Sequence, residues 1–280
     1  MTDEISQALI GMAIAEDLGD GDHSSLAVIS EEASASAVLW IKEDCVLAGV
    51  DVALSVFNSI DSTLSIEVFK KDGNRCKSGD KAFVVSGATR SILQAERLVL
   101  NFMQRMSGIA TNTRQYCDKI AHTKAVVLDT RKTTPGLRVF EKAAVAIGGG
   151  LNHRFGLYDM VMLKDNHIDY AGGIVAAIQK TTEYLWRNSL TLKVEVEARD
   201  LTEVAEILEC EGVHRIMFDN FSIPDTMKAV EMVAGKLETE SSGGIALDNI
   251  AEYAECGVDF ISVGALTHHI RSVDLSLKAI

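Results

Sequence analysis

The sequence predicts an α/β protein: an N-terminal α+β domain followed by an open, incomplete parallel α/β barrel of about six to seven strands. Three observations predict it. From residue 125 onward one unit recurs, an apolar strand, a polar loop and a helical segment. That alternation implies a parallel sheet with right-handed crossovers. Six such strands follow residue 120, fewer than a closed eight-stranded barrel requires. The polar and glycine residues of this region stand at the C-terminal ends of strands, the face where α/β-barrel sites lie. A flat sheet would string those ends over ~25 Å, at ~4.8 Å per strand.

Each element follows from its pattern. Ile5, Leu9, Met12 and Ile14 recur at helical spacing and predict a helix over residues 4–17, ended by Gly19-Asp20-Gly21-Asp22. Carboxylates beside glycines suit a cation, and equally a plain helix stop. Between residues 33 and 87 short β-rich runs predict strands at 37–41, 64–68 and 82–85, with turns at Asp72-Gly73 and Ser78-Gly79-Asp80 and a helix near 51–58. No chemistry is legible in that stretch. Residues 91–120 form the longest helical pattern. Ile92, Leu98, Val99, Phe102, Met103 and Met106 fall on its apolar face, and Arg97, Asn101, Gln104 and Arg105 on a polar stripe. Ser107-Gly108 is expected to break this run into two helices. Strands are expected at 125–128, 160–163, 191–196, 215–218, 236–239 and 259–263, with helices near 137–147, 172–187, 200–210, 222–234 and 247–256. Asp200 with Glu203, and Ser222 with Asp225, suit N-terminal capping boxes. Gly257 suits a helix C-terminus.

Composition narrows the function classes. Hydrophobic residues make up 47% of the 280, enough for a buried core. The formal charge of -13 argues against nucleic acid or an anionic membrane as partner. No apolar run approaches the ~20 residues of a membrane helix, and the acidic N-terminus lacks a signal layout. Cysteines 45, 76, 117, 210 and 256 are too scattered for a metal knuckle or redox pair. They suit reduced thiols, and a cytoplasmic protein is expected.

Against that acidic background, residues 129–167 concentrate cations. Asp129-Thr130-Arg131-Lys132 ends one strand and Lys164-Asp165-Asn166-His167 another. The loop between them holds Gly148-Gly149-Gly150, Asn152, His153 and Arg154. Arginine grips a carboxylate through two parallel hydrogen bonds, and lysine supplies a point charge. Positive charge at strand ends therefore reads as a pocket for a polyanion; the plain reading is salt bridges to Asp129, Glu141 and Asp159. The loops Ser241-Ser242-Gly243-Gly244 and Val263-Gly264-Ala265 each follow a strand and precede a helical segment, which suits phosphate; the plain reading is turn glycine. Glu195 and Asp219, at successive strand ends, are expected to hold Mg²⁺, contact ribose hydroxyls or stabilise a developing cation. Glu197 alternates with Glu195 and would be the inward one after a bulge.

These residues resemble the quinolinate phosphoribosyltransferase family. The motifs that carry the resemblance are Glu16-Asp-Leu-Gly-Asp-Gly-Asp22, Glu96-Arg97 with Leu100-Asn101, Ser107-Gly-Ile-Ala-Thr111 and Asp129-Thr-Arg-Lys-Thr-Thr-Pro-Gly136. They continue with Gly148-Gly-Gly-Leu-Asn-His-Arg154, Leu163-Lys-Asp-Asn-His167, Val194-Glu-Val196, Asp219-Asn220, Glu240-Ser-Ser-Gly-Gly244 and Ser262-Val-Gly-Ala-Leu-Thr-His268. Ser24-Ser25 and His269 depart from the usual pattern without touching the cations.

The resemblance implies phosphoribosyl transfer from phosphoribosyl pyrophosphate to quinolinate with decarboxylation, in NAD biosynthesis. It implies a domain over residues 1–106 completed by residues 266–280, a barrel over 107–265, and a homodimer sharing Arg97 across its interface. It maps quinolinate contacts to Arg97 of the partner, Arg131, His153, Arg154 and Lys164. Contacts to the phosphoribosyl donor, bound with Mg²⁺, map to Lys132, Lys164, Glu195, Asp219, Ser242, Gly243 and Gly264; Thr130, Gly244, Val263 and Ala265 adjoin them. Catalytic roles fall to Lys132, Lys164, Glu195 and Asp219. A molybdenum-transport relative shares the fold, but its central motif differs after Arg-Lys. From the residues alone, a Schiff-base lyase using Lys132 or Lys164 and a non-catalytic metabolite binder stay open.

Overall fold

Strands 34–41 and 81–88 mix exposed with buried positions, whereas those around residues 195, 216 and 240 are buried almost throughout. The first pattern belongs to an antiparallel sheet with one wet face, the second to a parallel sheet covered on both sides. The computed structural model, which describes residues 2–280, contains a four-stranded sheet of the first kind, a six-stranded sheet of the second, and a separate antiparallel pair, Cys45–Val46 with Arg75–Cys76.

The chain opens with α1 (Thr2–Leu18), α2 (His23–Val28), β1 (Ser34–Ile41), β2 (Cys45–Val46), α3 (Val50–Ile60), β3 (Ser65–Val68), β4 (Arg75–Cys76), β5 (Lys81–Ala88) and α4 (Thr89–Ile120). Then come β6 (Val126–Leu128), α5 (Arg138–Gly148), β7 (Val161–Leu163), α6 (Asp165–Ala171), α7 (Ile174–Arg187), β8 (Val194–Ala198), α8 (Leu201–Leu208) and β9 (Arg215–Asp219). The last are α9 (Ile223–Val233), β10 (Glu238–Ser242), α10 (Ile250–Glu255), β11 (Phe260–Ser262), α11 (Ala265–His268) and β12 (Leu275–Ala279).

The chain forms two compact units. One holds the residues through Arg114 with Thr133–Gly149 and Leu266–Ile280; the other holds Gln115–Lys132 and Gly150–Ala265. The expected division is 1–106 completed by 266–280, and 107–265; in the structure Leu266–Ile280 lie in the first unit, and so does segment 133–149 with α5. There β12 pairs antiparallel with β1 (Leu39 opposite Leu277) in a sheet ordered β12-β1-β5-β3. Its core includes Leu39, Ile41 and Val85, with Phe57 edge-on to Phe83 at 5.8 Å. Helix α4 does not break at Ser107-Gly108. The Ser107 hydroxyl accepts the Ala48 N–H (2.9 Å) and donates to the Ala48 carbonyl (3.1 Å). Gly108 leaves room for the Arg271 carbonyl against the helix. Both residues serve close packing rather than a helix stop. The segment after the Asp/Gly loop is also helical: Asp22 caps α2 by accepting the Ser25 N–H at 3.2 Å.

The second unit is built on six parallel strands in the order β6-β11-β10-β9-β8-β7. The edge strands β6 and β7 do not pair with each other, so the barrel is open. It is nonetheless rolled. Residues after β6 and residues of β7 line one cavity, although five strand spacings of ~4.8 Å would part them by ~24 Å in a flat sheet. Val196, Ile216, Phe218 and Ile261 are fully buried behind the strands. Three expected elements differ. Strand β8 runs on to Ala198 rather than ending at 196, β10 spans Glu238–Ser242 rather than 236–239 and so takes in Ser241 and Ser242, and residues 165–187 form two helices, α6 and α7, parted by Gly172 and Gly173, both at positive φ. Among the described residues no helix is long and apolar enough to cross a membrane.

Candidate active site

A cavity of about 550 Å³ opens at the C-terminal ends of the parallel strands. Ten of the residues expected from sequence line it: Thr130, Arg131, Lys132, His153, Arg154, Lys164, Asp219, Ser242, Gly243 and Gly244. Local structure explains their approach. Segment 150–153 runs beside β6, with Leu151 bridging Leu128. The fully buried Asp129 carboxylate accepts the His153 N–H at 2.8 Å. The Lys132 N–H donates to Thr130 Oγ1 at 3.0 Å, turning the chain so that consecutive residues face the cavity.

The cations are crowded. Burial, and then the charge of Arg131, push the Arg154 guanidinium below its ordinary pKa. Two guanidiniums held close enough to repel each other leave a field that favours an anion between them. Of the acids offered as plain partners, Glu141 takes Arg105 through Nε (3.0 Å) and Nη2 (2.6 Å), while Asp159 accepts the Phe155 (2.6 Å) and Gly156 (2.9 Å) N–H groups and acts on Arg154 through its charge. Lys164 stands at the N-cap of α6, and its N–H donates to Nδ1 of His167 at 3.0 Å. Its ammonium contacts Glu197.

Across the cavity, Asp219 ends β9. The Asn220 side chain donates to it at 3.0 Å, and the Asn220 N–H donates to the Ser242 carbonyl at 2.8 Å. Asn220 and Gly243 both have positive φ (56° and 92°), and a Cβ on Gly243 would overlap Asn220 Oδ1. The loop after β10 is thus locked to the end of β9. Asn249 closes it from the other side, donating to the Gly244 carbonyl at 3.1 Å.

Four expected residues are not brought to this cavity, and Arg97, expected to serve a partner's cavity, lies exposed on α4 in the first unit. Val263 is buried, its N–H donating to the Leu128 carbonyl at 2.9 Å; neither it nor Gly264 or Ala265 lines the cavity, where Ser262 stands instead. Glu195 is the instructive case. It is fully buried and absent from the lining, whereas Glu197 lines the cavity. No bulge is involved, since β8 keeps regular register with β7 and β9. Residues two apart share a face of a strand. Because β8 continues to Ala198, Glu197 reaches the rim and Glu195 sits one layer deeper.

That deeper layer is polar. Glu195 Oε2 lies 2.9 Å from His153 Nε2, and Glu240 Oε2 lies 3.6 Å from the same atom. Arg215 bonds Glu240 at 2.8 Å and Glu238 at 3.0 Å, with its guanidinium 3.9 Å from the centre of the Phe260 ring. Burial pushes the carboxyls of both Glu195 and Glu240 up to about 7. Donor atoms of His153, Glu195 and Glu240 lie within 4.8 Å of one another, the spacing of a metal cluster. Glu240 and Arg215 are not among the site residues expected from sequence. Arg215 opens a strand otherwise apolar up to Asp219, a visible signal, whereas Glu240 lies in a strand, Glu238–Ser242, made wholly of polar residues and gives none.

Comparison with known proteins follows the same map. Residues 22–107 match the quinolinate phosphoribosyl transferase N-terminal domain and residues 109–278 its C-terminal domain. A chloroplastic nicotinate-nucleotide pyrophosphorylase [carboxylating] of Oryza sativa subsp. japonica is 47% identical, over 97% of this chain and 77% of its own. A probable nicotinate-nucleotide pyrophosphorylase [carboxylating] of Bacillus subtilis is 38% identical, over 94% and 89%. The solved nicotinate-nucleotide pyrophosphorylase of Francisella tularensis superposes with a TM-score of 0.93 at 39% identity, over 100% of this chain and 97% of that one.

Proposed function

The chain belongs to the quinolinate phosphoribosyltransferase family, and from that membership we propose that the cavity lined by Arg131, Arg154 and Lys164 is where its reaction takes place. The reaction transfers the phosphoribosyl group of phosphoribosyl pyrophosphate to quinolinate with decarboxylation. Its products are nicotinate mononucleotide, CO₂ and pyrophosphate, a step toward NAD.

The observation that carries the assignment is the crowding of Arg131 and Arg154 at a rim they share with Lys132, Lys164 and the Ser242–Gly244 loop. Quinolinate bears two carboxylates, and its co-substrate bears a phosphate and a pyrophosphate. Bringing them together costs Coulomb repulsion, which positive groups in a water-poor cavity offset. Arg131, Arg154 and Lys164 hold the pyridine dicarboxylate, and Lys132 and the Ser242–Gly244 amides face the phosphates. The pyridine nitrogen then displaces pyrophosphate at the anomeric carbon. Glu197 and Asp219 supply negative charge against the oxocarbenium-like state. The resulting pyridinium withdraws electrons, so the C–CO₂⁻ bond breaks at the adjacent carbon, which takes up a proton. Fixed orientation and fixed charge supply most of the acceleration.

Mg²⁺ is part of this proposal. Glu197 is engaged by Lys164, so Asp219 is the rim carboxylate that fits a hard cation sharing its remaining sites with phosphate oxygens and water. Bound there, Mg²⁺ neutralises charge on the leaving pyrophosphate. We also propose a homodimer in which the partner's Arg97 completes the quinolinate pocket; its exposure on α4 supports this. None of the five cysteines forms a disulfide, which supports a reducing, cytoplasmic setting.

The test supplies quinolinate, phosphoribosyl pyrophosphate and Mg²⁺ and looks for nicotinate mononucleotide with equimolar CO₂ and pyrophosphate. Nicotinate in place of quinolinate is the control, since it lacks the departing carboxylate. No mononucleotide from quinolinate, or equal turnover of nicotinate, would reject the reading.

A further inference from the structure

The floor of the cavity holds charge the reaction scheme leaves unused. Glu195 and Glu240, on β8 and β10, are both fully buried; Glu240 lines the cavity floor and Glu195 lies behind it. Neither oxygen of Glu195, nor Oε1 of Glu240, nor Nε2 of His153 makes a well-aligned hydrogen bond; the ring and the two carboxylates are held at ion-pair distance and act on one another through charge. Two carboxylates do not persist in such a place without a reason, because each buried charge carries a desolvation cost of several kcal/mol (roughly) even after relaxation. Arg215 bonds Glu240 and Glu238, and its charge also acts on Glu195. Glu240, Arg154 and Glu197 are the other charged groups that act on Glu195. What both acids face is the imidazole of His153.

The ring's other nitrogen decides what the acids do. Nδ1 of His153 accepts the main-chain N–H of Arg154 at 2.7 Å. A nitrogen that accepts has a lone pair and no proton, so the ring proton is on Nε2. Nε2 is the atom between the carboxylates, 2.9 Å from Glu195 and 3.6 Å from Glu240. The same argument weighs against a metal at this cluster. A protonated Nε2 has no lone pair to give, and Glu240 Oε2 is already bonded to Arg215.

We propose that Glu195 and Glu240 are positioning residues for His153: set under the ring, they keep its proton on Nε2 and hold Nδ1 against the Arg154 main chain. The imidazole is thereby fixed at the cavity floor, and Arg154 leaves it at a fixed angle toward the rim. Glu195, which is outside the cavity lining, acts through His153; Glu240 backs the same ring from the cavity floor. Raised proton affinity of the pair is the expected companion of this role, since burial disfavours two adjacent charges.

Two readouts test this, and only the second rests on the quinolinate reading. The first is long-range ¹H–¹⁵N correlation on the full-length protein labelled with ¹⁵N-histidine at neutral pH, with the His153 signals assigned from their loss in His153→Gln. The wild type should show the Nε2–H tautomer. Glu195→Gln, which keeps an acceptor oxygen, should retain it. Glu195→Leu should give a mixture of tautomers. The second readout is steady-state kinetics. Glu195→Leu should raise the quinolinate KM about tenfold or more while the KM for the phosphoribosyl donor stays within about twofold, Glu195→Gln should recover most of the loss, and in a His153→Gln background the Leu substitution should add nothing.

A wild-type ring protonated on Nδ1 overturns the proposal, and so does a Leu effect that adds in full to that of His153→Gln. Mn²⁺ that bleaches the His153 signals stoichiometrically, with no substrate present, overturns it in favour of a metal centre. A Glu195→Leu ring that stays wholly Nε2–H also overturns it, since the main-chain bond to Nδ1 would then suffice; if Glu195→Leu does not fold, Glu195→Met, nearer in shape and without an acceptor oxygen, carries the same expectations. If the protein does not use quinolinate, the kinetic readout falls and the tautomer result stands by itself.

Discussion

At the scale of single residues, position along a strand decides what a charge can do. Glu195 and Glu197 have the same chemistry and point to the same side of β8, yet one is sealed in the barrel and the other faces the cavity. The sequence made the pair visible but not its depth, because the apolar run that marks the strand ends before the strand does. The cations were legible, since Arg131, Lys132, Arg154 and Lys164 follow strands or the glycine loop. We expect Arg131→Ala to weaken quinolinate binding by about 1–3 kcal/mol, the loss of a charge-assisted hydrogen bond, as measured by titration calorimetry. An unchanged affinity would remove Arg131 from the site. Glu195 and Glu240 also leave a mark on stability. Their folded pKa values lie near 7, above the ~4.3 of an unfolded glutamate. The unfolded chain therefore releases these protons first, and stability falls as pH rises from about 4.5 to 7, then levels off. Urea melts at several pH values should show this slope, and Glu195→Gln should flatten it. A variant as steep as the wild type would show that the pair does not carry the effect.

At the scale of elements, signals that punctuate a sequence have more than one use. Ser107-Gly108 reads as a helix stop, and α4 runs through it because both residues are spent on packing against Ala48 and Arg271. Conversely, Lys164-Asp165-Asn166-His167 reads as a strand end with charges and is also a helix start. His167, three residues after the N-cap, reaches back to its main chain, a spacing open to sequence inspection. Gly108→Ala sets the two uses against each other. Helix propensity alone would favour alanine by ~1 kcal/mol. The added Cβ would overlap the Arg271 carbonyl, which is backbone and cannot rotate away, and overpacking of this kind costs about 1–3 kcal/mol. Net destabilisation of the purified protein, seen as a lower urea midpoint with an unchanged slope, is the expected outcome. A stabilised variant would mean the segment before β12 moves freely.

At the scale of the whole molecule, an acidic chain of net charge -13 gathers positive side chains at one rim. The alternation of strands and helices announced the barrel, and the count of six strands announced that it was open. The membership of segment 133–149 was not legible, because α5 sits between two barrel strands in sequence and belongs by contacts to the other unit. Arg97 raises the question of assembly. If the partner's Arg97 completes each pocket, then inactive Arg97→Ala and Lys164→Ala homodimers should regain partial activity on mixing, one intact site forming in each hybrid. No recovery despite proven subunit exchange would confine the site to one chain. The central claim is that distant parts of the sequence meet to hold two mutually repelling anions, and co-crystallisation with quinolinate and a non-reactive phosphoribosyl pyrophosphate analogue tests it most directly. The carboxylates of quinolinate should lie on Arg131, Arg154 and Lys164, with a phosphate of the analogue on the Ser242–Gly244 loop. Density for either ligand away from that rim, with the rim left to solvent, would contradict the account.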